Sequence, residues 1–249
     1  MAYFAWTFWL LVIVLTAWGV RALLTGIIAP KVLNAVLLPG TLVGLAGHVL
    51  GLLVSGATIR DTTLIKDDDS GEPGTTADPQ PKIPILGPIL IAMLPLLACA
   101  AAIHFSASYF GNPVLRNMRT DVLGPTLPTT WSAFWQMLRD QVTLVESFAG
   151  AVMRANLANW KTLLFLYLTI CLSVRMAPFP GTARGTLGAI VLLGGLAAFA
   201  TWALALSQKA ASTAWPTINL IAAALLALLL ISLVVRGGLV LVQVLRNKD

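Results

Sequence analysis

Charge is scarce in this 249-residue chain: lysine, arginine, aspartate and glutamate together make up 10% of it, whereas hydrophobic residues make up 58%. Soluble globular domains usually carry about a quarter charged residues. The mean hydropathy is +0.86, and several apolar runs reach roughly 20 residues, the length that crosses a hydrocarbon layer. The composition therefore excludes a soluble domain and indicates an integral membrane protein.

Cysteine and clustered basic residues are also scarce. Cys99 and Cys171 lie in apolar runs without C-x-x-C spacing, so we expect two packing residues and no disulfide or thiol chemistry. The net charge of +6 does not indicate a nucleic-acid partner, because the basic residues are scattered singly at predicted helix ends. We expect the lipid bilayer as the partner of these residues, with lysine and arginine reaching the headgroups.

The hydropathy pattern predicts an all-α polytopic protein with a single membrane domain, 1–249, and about six transmembrane helices. The start, 1–6, has no positive charge, and the apolar run continues past Ile28, so the first segment is expected to be a retained span and not a cleaved signal peptide. Five or seven spans also fit, because 236–238 interrupts the last run and the segment after it could either continue the helix or break it. Basic residues divide evenly between the two sides, so they set no orientation. The predicted spans are roughly 3–28, 32–57, 83–110, 163–176, 187–206 and 215–235.

Two connecting segments have patterns of their own. The polar loop 58–81 begins with alternating β-branched residues and continues in a turn composition, which predicts a short β-hairpin-like loop after the second span. Its acidic cluster at 67–69 lacks EF-hand spacing and is expected to be a solvated turn instead of a calcium site. Segment 127–159 has apolar residues at helical spacing, which predicts amphipathic interfacial helices between the third and fourth spans. A helix pair packed on the bundle fits this segment as well.

The second span contains "PGTLVGLAGHVLG", 39–51, with one of only two histidines. This stretch, the loop after it and the proline-rich "PKIPILGPILIAMLP" resemble the site-2 protease family of intramembrane zinc metalloproteases. Members of that family have a helix that reads P-G-x-x-x-H-E-x-x-H. When the helix is aligned on Pro-Gly, the first histidine falls on Gly44, the glutamate on Leu45 and the second histidine on His48. In a second segment of the type A-P-S-x-x-D-x-x-G, the metal-binding aspartate falls on Thr182.

The aligned residues lack the chemistry of the family. Two histidines at i and i+4 hold one zinc ion on a helix face, and the glutamate is the general base for the metal-bound water. Gly44 has no side chain and Leu45 takes no proton, so His48 is the residual ligand position. The other histidine, His104, is expected about 15 Å further than His48 from the loop that joins the two spans, and no span contains a replacement carboxylate. The resemblance therefore implies a pseudoenzyme with no catalytic residue, with zinc disfavoured and no cofactor predicted.

Other intramembrane proteases fit the sequence poorly. A rhomboid-like serine protease needs G-x-S-G, and Ser55 is not preceded by that glycine; a presenilin-like protease needs two membrane aspartates, and the predicted spans contain none. Small residues instead line one face of the second helix and predict close helix packing. His48 is then expected to make a buried hydrogen bond to a carbonyl or hydroxyl of a neighbouring span. The packing residues are Gly40, Gly44, Gly47, Gly51 and Ser55.

Several functions remain open from the sequence. The leading hypothesis is a non-catalytic, site-2-protease-like accessory or scaffold subunit of a larger hetero-oligomeric membrane complex, or a binder of a membrane client, in a bacterial inner membrane. A second hypothesis is a cofactor-binding subunit of an electron-transfer or photosynthetic complex, in which His48 or His104 ligates a haem or chlorin. A small transporter, or an active metalloprotease with atypical ligands, fits less well. The sequence does not identify the partner.

Overall fold

The computed structural model describes residues 2–57, 59–63, 74–77, 86–118, 130–177, 183–203 and 207–246. Helices dominate these ranges, and two short strands lie between the third and fourth helices. The elements in chain order are α1 (Ala2–Thr25), α2 (Pro30–Val36), α3 (Leu38–Val54), β1 (Ile59–Thr63), β2 (Gly74–Ala77), α4 (Leu86–Phe110), α5 (Asn112–Leu115), α6 (Trp131–Arg154), α7 (Trp160–Val174), α8 (Ala183–Ala203) and α9 (Ser207–Arg246).

Three helices in the described part of the chain are long and apolar enough to cross a membrane: they contain Tyr3–Thr25, Leu86–Phe110 and Ile218–Val240. A fourth candidate is the pair α2 and α3, which is bent by 82°. Shorter apolar helices cover Trp160–Val174 and Gly185–Leu196. The predicted helical fold is thus confirmed, and three to four of its segments are long and apolar enough to cross a membrane.

The described parts of the loop after α3 form an antiparallel strand pair. Ile59 lies opposite Ala77 and Thr63 opposite Gly74, with an irregularity between Ile59 and Asp61. The connection at 64–73, which includes the acidic cluster 67–69, lies outside the described residues. The chain leaves α3 through Gly56, whose φ of 76° is left-handed, while the Ala57 amide donates to the Leu52 carbonyl at 3.0 Å. This is the glycine-terminated helix end that a side chain at Gly56 would strain.

The core lies where α1, α4, α7, α8 and α9 meet. Trp9 is 2% exposed and donates from Nε1 to the Met137 sulfur at 3.3 Å. A mainly apolar interior is expected for a helical bundle. Other buried members of this cluster are Ile13, Ala17, Leu96, Cys99, Ile103, Leu172, Ile190, Ile221 and Leu225.

Segment 127–159 contains one continuous helix, α6, in its described part. Thr130 caps its start by accepting from the Ala133 amide at 3.2 Å. The buried Phe134 ring packs against Phe4 and Phe8 of α1, with centroids 5.2 and 5.3 Å apart. The helix thus packs against the bundle along its apolar face.

The last helix, α9, does not end at Arg236, Gly237 and Gly238, where the sequence left a continuation or a break open. α9 continues through 236–238 to Arg246. Gly237 and Gly238 have no neighbour within 4 Å of an added Cβ, so no packing contact on them opposes a straight helix. Glycine costs a helix roughly 1 kcal/mol relative to alanine, which weakens the helix without ending it.

Candidate functional site

One face of α3 carries small residues and lies against backbone of other helices. An added Cβ on Gly47 would lie 2.7 Å from Pro95 Cα, and one on Gly51 would lie 2.7 Å from Ile91 Cα. An added Cβ on Gly40 would overlap the Cys171 carbonyl of α7. The first two contacts set α3 antiparallel to α4, and the small residues allow backbones to approach as closely as they do in membrane helix pairs.

His48 lies between Gly47 and Gly51 on this α3–α4 interface and is half-buried. Its imidazole hydrogen-bonds to the backbone of Ile91, where the carbonyl oxygen is the group that accepts. Pro95 lies four residues after Ile91 inside α4 and has no N–H to donate to that carbonyl. In a membrane such a freed carbonyl has to be satisfied by a neighbouring helix. The His48 imidazole therefore replaces the hydrogen bond that Pro95 removes.

The other aligned positions are placed as follows. Gly44 and Leu45 are both buried on α3, where they contribute packing surface and no polar group. Thr182 lies outside the described residues, just before α8. Of the three positions at which the family carries catalytic side chains on this helix, only His48 offers a nitrogen, and that imidazole is bonded to α4.

The second histidine lies far along the partner helix. His104 is nine residues after Pro95, the neighbour of Gly47, so it is about 14 Å further along α4. It is half-buried beside the Phe105 ring, with centroids 6.4 Å apart. The antiparallel register therefore does not bring the two imidazoles together. Across the described residues, no group of three or more histidine, cysteine, aspartate or glutamate side chains is arranged to hold a metal ion.

A second polar arrangement lies at the bend between α2 and α3. Three residues spaced by four, two on α7 and one at its C-cap, contact the α2 end of the bend. Tyr167 Oη donates to the Val36 carbonyl at 2.7 Å, and Cys171 Sγ lies 3.6 Å from the same oxygen. Arg175 Nη2 donates to Asn34 Oδ1 at 2.6 Å. The last carbonyls of a helix lack donors within that helix, so α7 supplies donors where α2 stops.

This second arrangement was not predicted from the sequence. Arg175 was expected at a span end facing the headgroups, and Cys171 was expected only to pack. A signal does exist: Asn34 is a lone amide inside an apolar run and Pro39 follows it closely, and together they mark a break in the helix with a polar group beside it. What the sequence does not reveal is that the partner of Asn34 is 141 residues away.

Comparison with protein-family models, with curated proteins and with solved structures finds no match for this chain.

Proposed function

We propose that this chain is a non-catalytic membrane protein related to site-2 proteases, which acts as an accessory or scaffold subunit of a larger hetero-oligomeric complex or holds a membrane client. In this proposal six segments span a bacterial inner membrane. They are α1, the bent pair α2 and α3, α4, α7, α8 and α9. The short α7 and the bent pair count as spans in this proposal, and they contact each other at the Val36 carbonyl and Asn34.

The observation that supports the proposal is that the α3 face aligned with the protease motif is packed against other helices. Gly47 and Gly51 abut the backbone of α4, and Gly40 abuts α7. His48 is engaged by the Ile91 carbonyl that Pro95 leaves without a donor. A face packed in this way presents helix backbone where a hydrolytic site would need metal ligands and a general base. These contacts support recognition of other molecules over hydrolysis.

A surface for a partner is available on α9. Its segment from Leu233 to Val240 is exposed and almost entirely apolar, and Gly237 and Gly238 leave open space beside the helix. Small residues at exposed positions let another transmembrane helix approach closely. We place the partner contact on this surface, with lipid covering the rest of the exposed apolar bundle.

The test is gentle detergent purification from the native host, followed by identification of co-purifying membrane proteins in stoichiometric amount. Gly238→Leu should remove the partner without lowering the melting temperature, because no atom lies within 4 Å of that position. Val191→Phe, on the exposed face of α8, is the matched control and should retain the partner. A lone monomer, or equal loss in both variants, would contradict the proposed surface.

Two further readouts separate this proposal from its alternatives. Zinc-dependent cleavage of a membrane peptide by the purified chain would contradict the scaffold proposal and identify an active protease. A Soret or chlorin absorption band that disappears in His48→Leu or His104→Leu would contradict the scaffold proposal and identify a cofactor-binding subunit. The scaffold proposal expects neither result.

A further inference from the structure

An apolar groove opens between α6, α7 and α9. Its volume is about 220 Å³, and its walls include Phe148, Leu166, Ala227 and Ile231. At one edge Met153 is 85% exposed and Ile231 is 59% exposed. The groove is therefore open to the surroundings of the bundle on an apolar side, and none of the described residues that line it is charged.

Two hydroxyl groups lie in this apolar lining. Thr169 and Ser173 of α7 are 2% and 1% exposed, and both line the groove. They are four residues apart, so they lie one above the other on one helix face, with Cβ atoms about 5–6 Å apart. Among the described residues neither the Thr169 nor the Ser173 hydroxyl has a hydrogen-bond partner.

Several other helical hydroxyls of this chain make a local hydrogen bond, although Ser106 and Thr162 are also buried without a partner among the described residues. Thr7, Thr25, Thr41 and Ser108 each donate to the carbonyl four residues earlier, at 2.8 to 3.1 Å. That local bond is the usual solution for serine and threonine inside a helix. A buried hydroxyl without a partner costs roughly 1–3 kcal/mol, so two of them side by side in an apolar groove point to an acceptor supplied from outside the chain.

We propose that this groove binds a hydrocarbon amphiphile through a carbonyl group that accepts hydrogen bonds from Thr169 and Ser173. A carbonyl oxygen has two lone pairs and can accept from both hydroxyls, and the carbon lining suits a ligand that is otherwise apolar. An apolar cavity of about 150 Å³ is large enough for benzene, so this groove takes one ring or a short chain segment. The remainder of the ligand leaves past Met153 and Ile231.

Two kinds of membrane molecule carry this chemistry: the acyl ester of a phospholipid and an isoprenoid quinone. A bridging water fits less well, because an ordered water needs two to four polar partners and the groove lining supplies only the two hydroxyls. The inference does not depend on the partner surface of α9 or on the relationship to site-2 proteases.

The experiment measures ligand binding to the purified full chain in detergent. One arm compares a diacyl phosphatidylglycerol with its diether analogue, which lacks the ester carbonyls. The other arm compares decylbenzoquinone with decylbenzene. We expect the carbonyl member of at least one pair to bind about fivefold more tightly or better, the effect of one net hydrogen bond, and its carbonyl stretch to shift to lower frequency on binding.

The variants Thr169→Val and Ser173→Ala should remove this preference and the infrared shift while they leave the hydrocarbon contacts in place. Thr162→Val is the matched control, because Thr162 is a fully buried α7 hydroxyl that is also without a partner in the described residues but does not line the groove. It should retain the preference. Ala149→Phe, which fills the groove from α6, should abolish binding even if a hydroxyl variant folds poorly.

Preference in the lipid arm identifies an acyl ester, and preference in the quinone arm identifies a quinone; either result supports the proposal. Equal binding within both pairs, or no binding in either arm, overturns it. The same loss in Thr162→Val also overturns it. Crosslinking of a cysteine at Ile231 to a partner's transmembrane helix in native membranes, in place of the ligand, would show that the groove is a protein contact and would overturn it as well.

Discussion

Arg175 donates a 2.6 Å hydrogen bond from Nη2 to Oδ1 of Asn34, and these side chains are 4% and 6% exposed. When either partner of a buried hydrogen bond is removed, the other polar group stays in an apolar interior without compensation. Arg175→Met should therefore lower the free energy of unfolding by about 1–3 kcal/mol, as measured by thermal or denaturant unfolding in detergent. The double variant with Asn34→Leu should recover part of that loss, because neither polar group remains.

Arg116 provides the control for this prediction. It is an exposed arginine, and Arg116→Met should change stability by no more than about 0.5 kcal/mol. Equal costs for the two arginine substitutions would mean that the bond to Asn34 contributes nothing of its own.

The link between His48 and Pro95 can be tested by a double-mutant cycle. His48→Leu should lower the free energy of unfolding by about 1–3 kcal/mol, because the Ile91 carbonyl then has no donor. Pro95→Ala restores an N–H four residues after Ile91, so His48→Leu should cost clearly less in that background. Additive effects of the two substitutions on unfolding would contradict the replacement of one donor by the other.

Glycine packing on α3 predicts a contrast between two alanine substitutions. Gly47→Ala places a methyl group 2.7 Å from Pro95 Cα, and because backbone cannot yield easily, overpacking should cost about 1–3 kcal/mol. Gly150→Ala meets nothing within 4 Å on α6 and should stabilise the helix by about 0.5–1 kcal/mol. Melting temperatures of the two variants should shift in opposite directions; shifts of the same sign would show that α3 and α4 are not in close contact.

Metal removal should have no effect on this chain. A metal that binds only the folded state raises the melting temperature with its concentration, so incubation with a strong chelator should leave the melting temperature within about 1 °C of the untreated value. Elemental analysis of the purified protein provides the second readout. Stoichiometric zinc together with a lower melting temperature after chelation would identify a metal site and refute the pseudoenzyme.

The proposed six spans predict that both termini lie on the same side of the membrane. Cys99 and Cys171 are 0% and 1% exposed, so a membrane-impermeant maleimide should not reach them in the folded protein. A single cysteine introduced at Tyr3, which is 44% exposed, and one appended after Asp249 should label from the same side of sealed vesicles. Labelling from opposite sides requires an odd number of spans.

The sequence predicted the positions of the apolar helices well because length and hydropathy are local properties. Each of the six expected segments contains a helix, and the third, expected at 83–110, has its helix at Leu86–Phe110. The direction of each helix depends on contacts with residues distant in the sequence. A hydropathy average therefore does not reveal the 82° bend between α2 and α3. The same holds for α9, where 236–238 looked like an interruption and the helix continues.

For the candidate site, sequence reasoning identified the right helix but could not identify the partners. The small residues Gly47 and Gly51 and the solitary imidazole of His48 were all recognised as features of the second predicted helix. The choice of Ile91 as the acceptor depends on the register between α3 and α4. That register is fixed where Gly47 lies against Pro95 and Gly51 against Ile91. The pair of Asn34 and Arg175 required still more, since burial of an arginine depends on how three helices meet.

The corner between α2 and α3 restricts how this bundle can move. Tyr167, Cys171 and Arg175 project from successive turns of α7, and together they contact both the last carbonyl of α2 and its only amide side chain. A movement of α2 away from α7 would break all three contacts at once, and Gly40 of α3 also lies against the Cys171 carbonyl of α7. The helices α2, α3 and α7 should therefore shift as one rigid block, and a larger rearrangement of the bundle should occur where that block meets α1, α4 or α9.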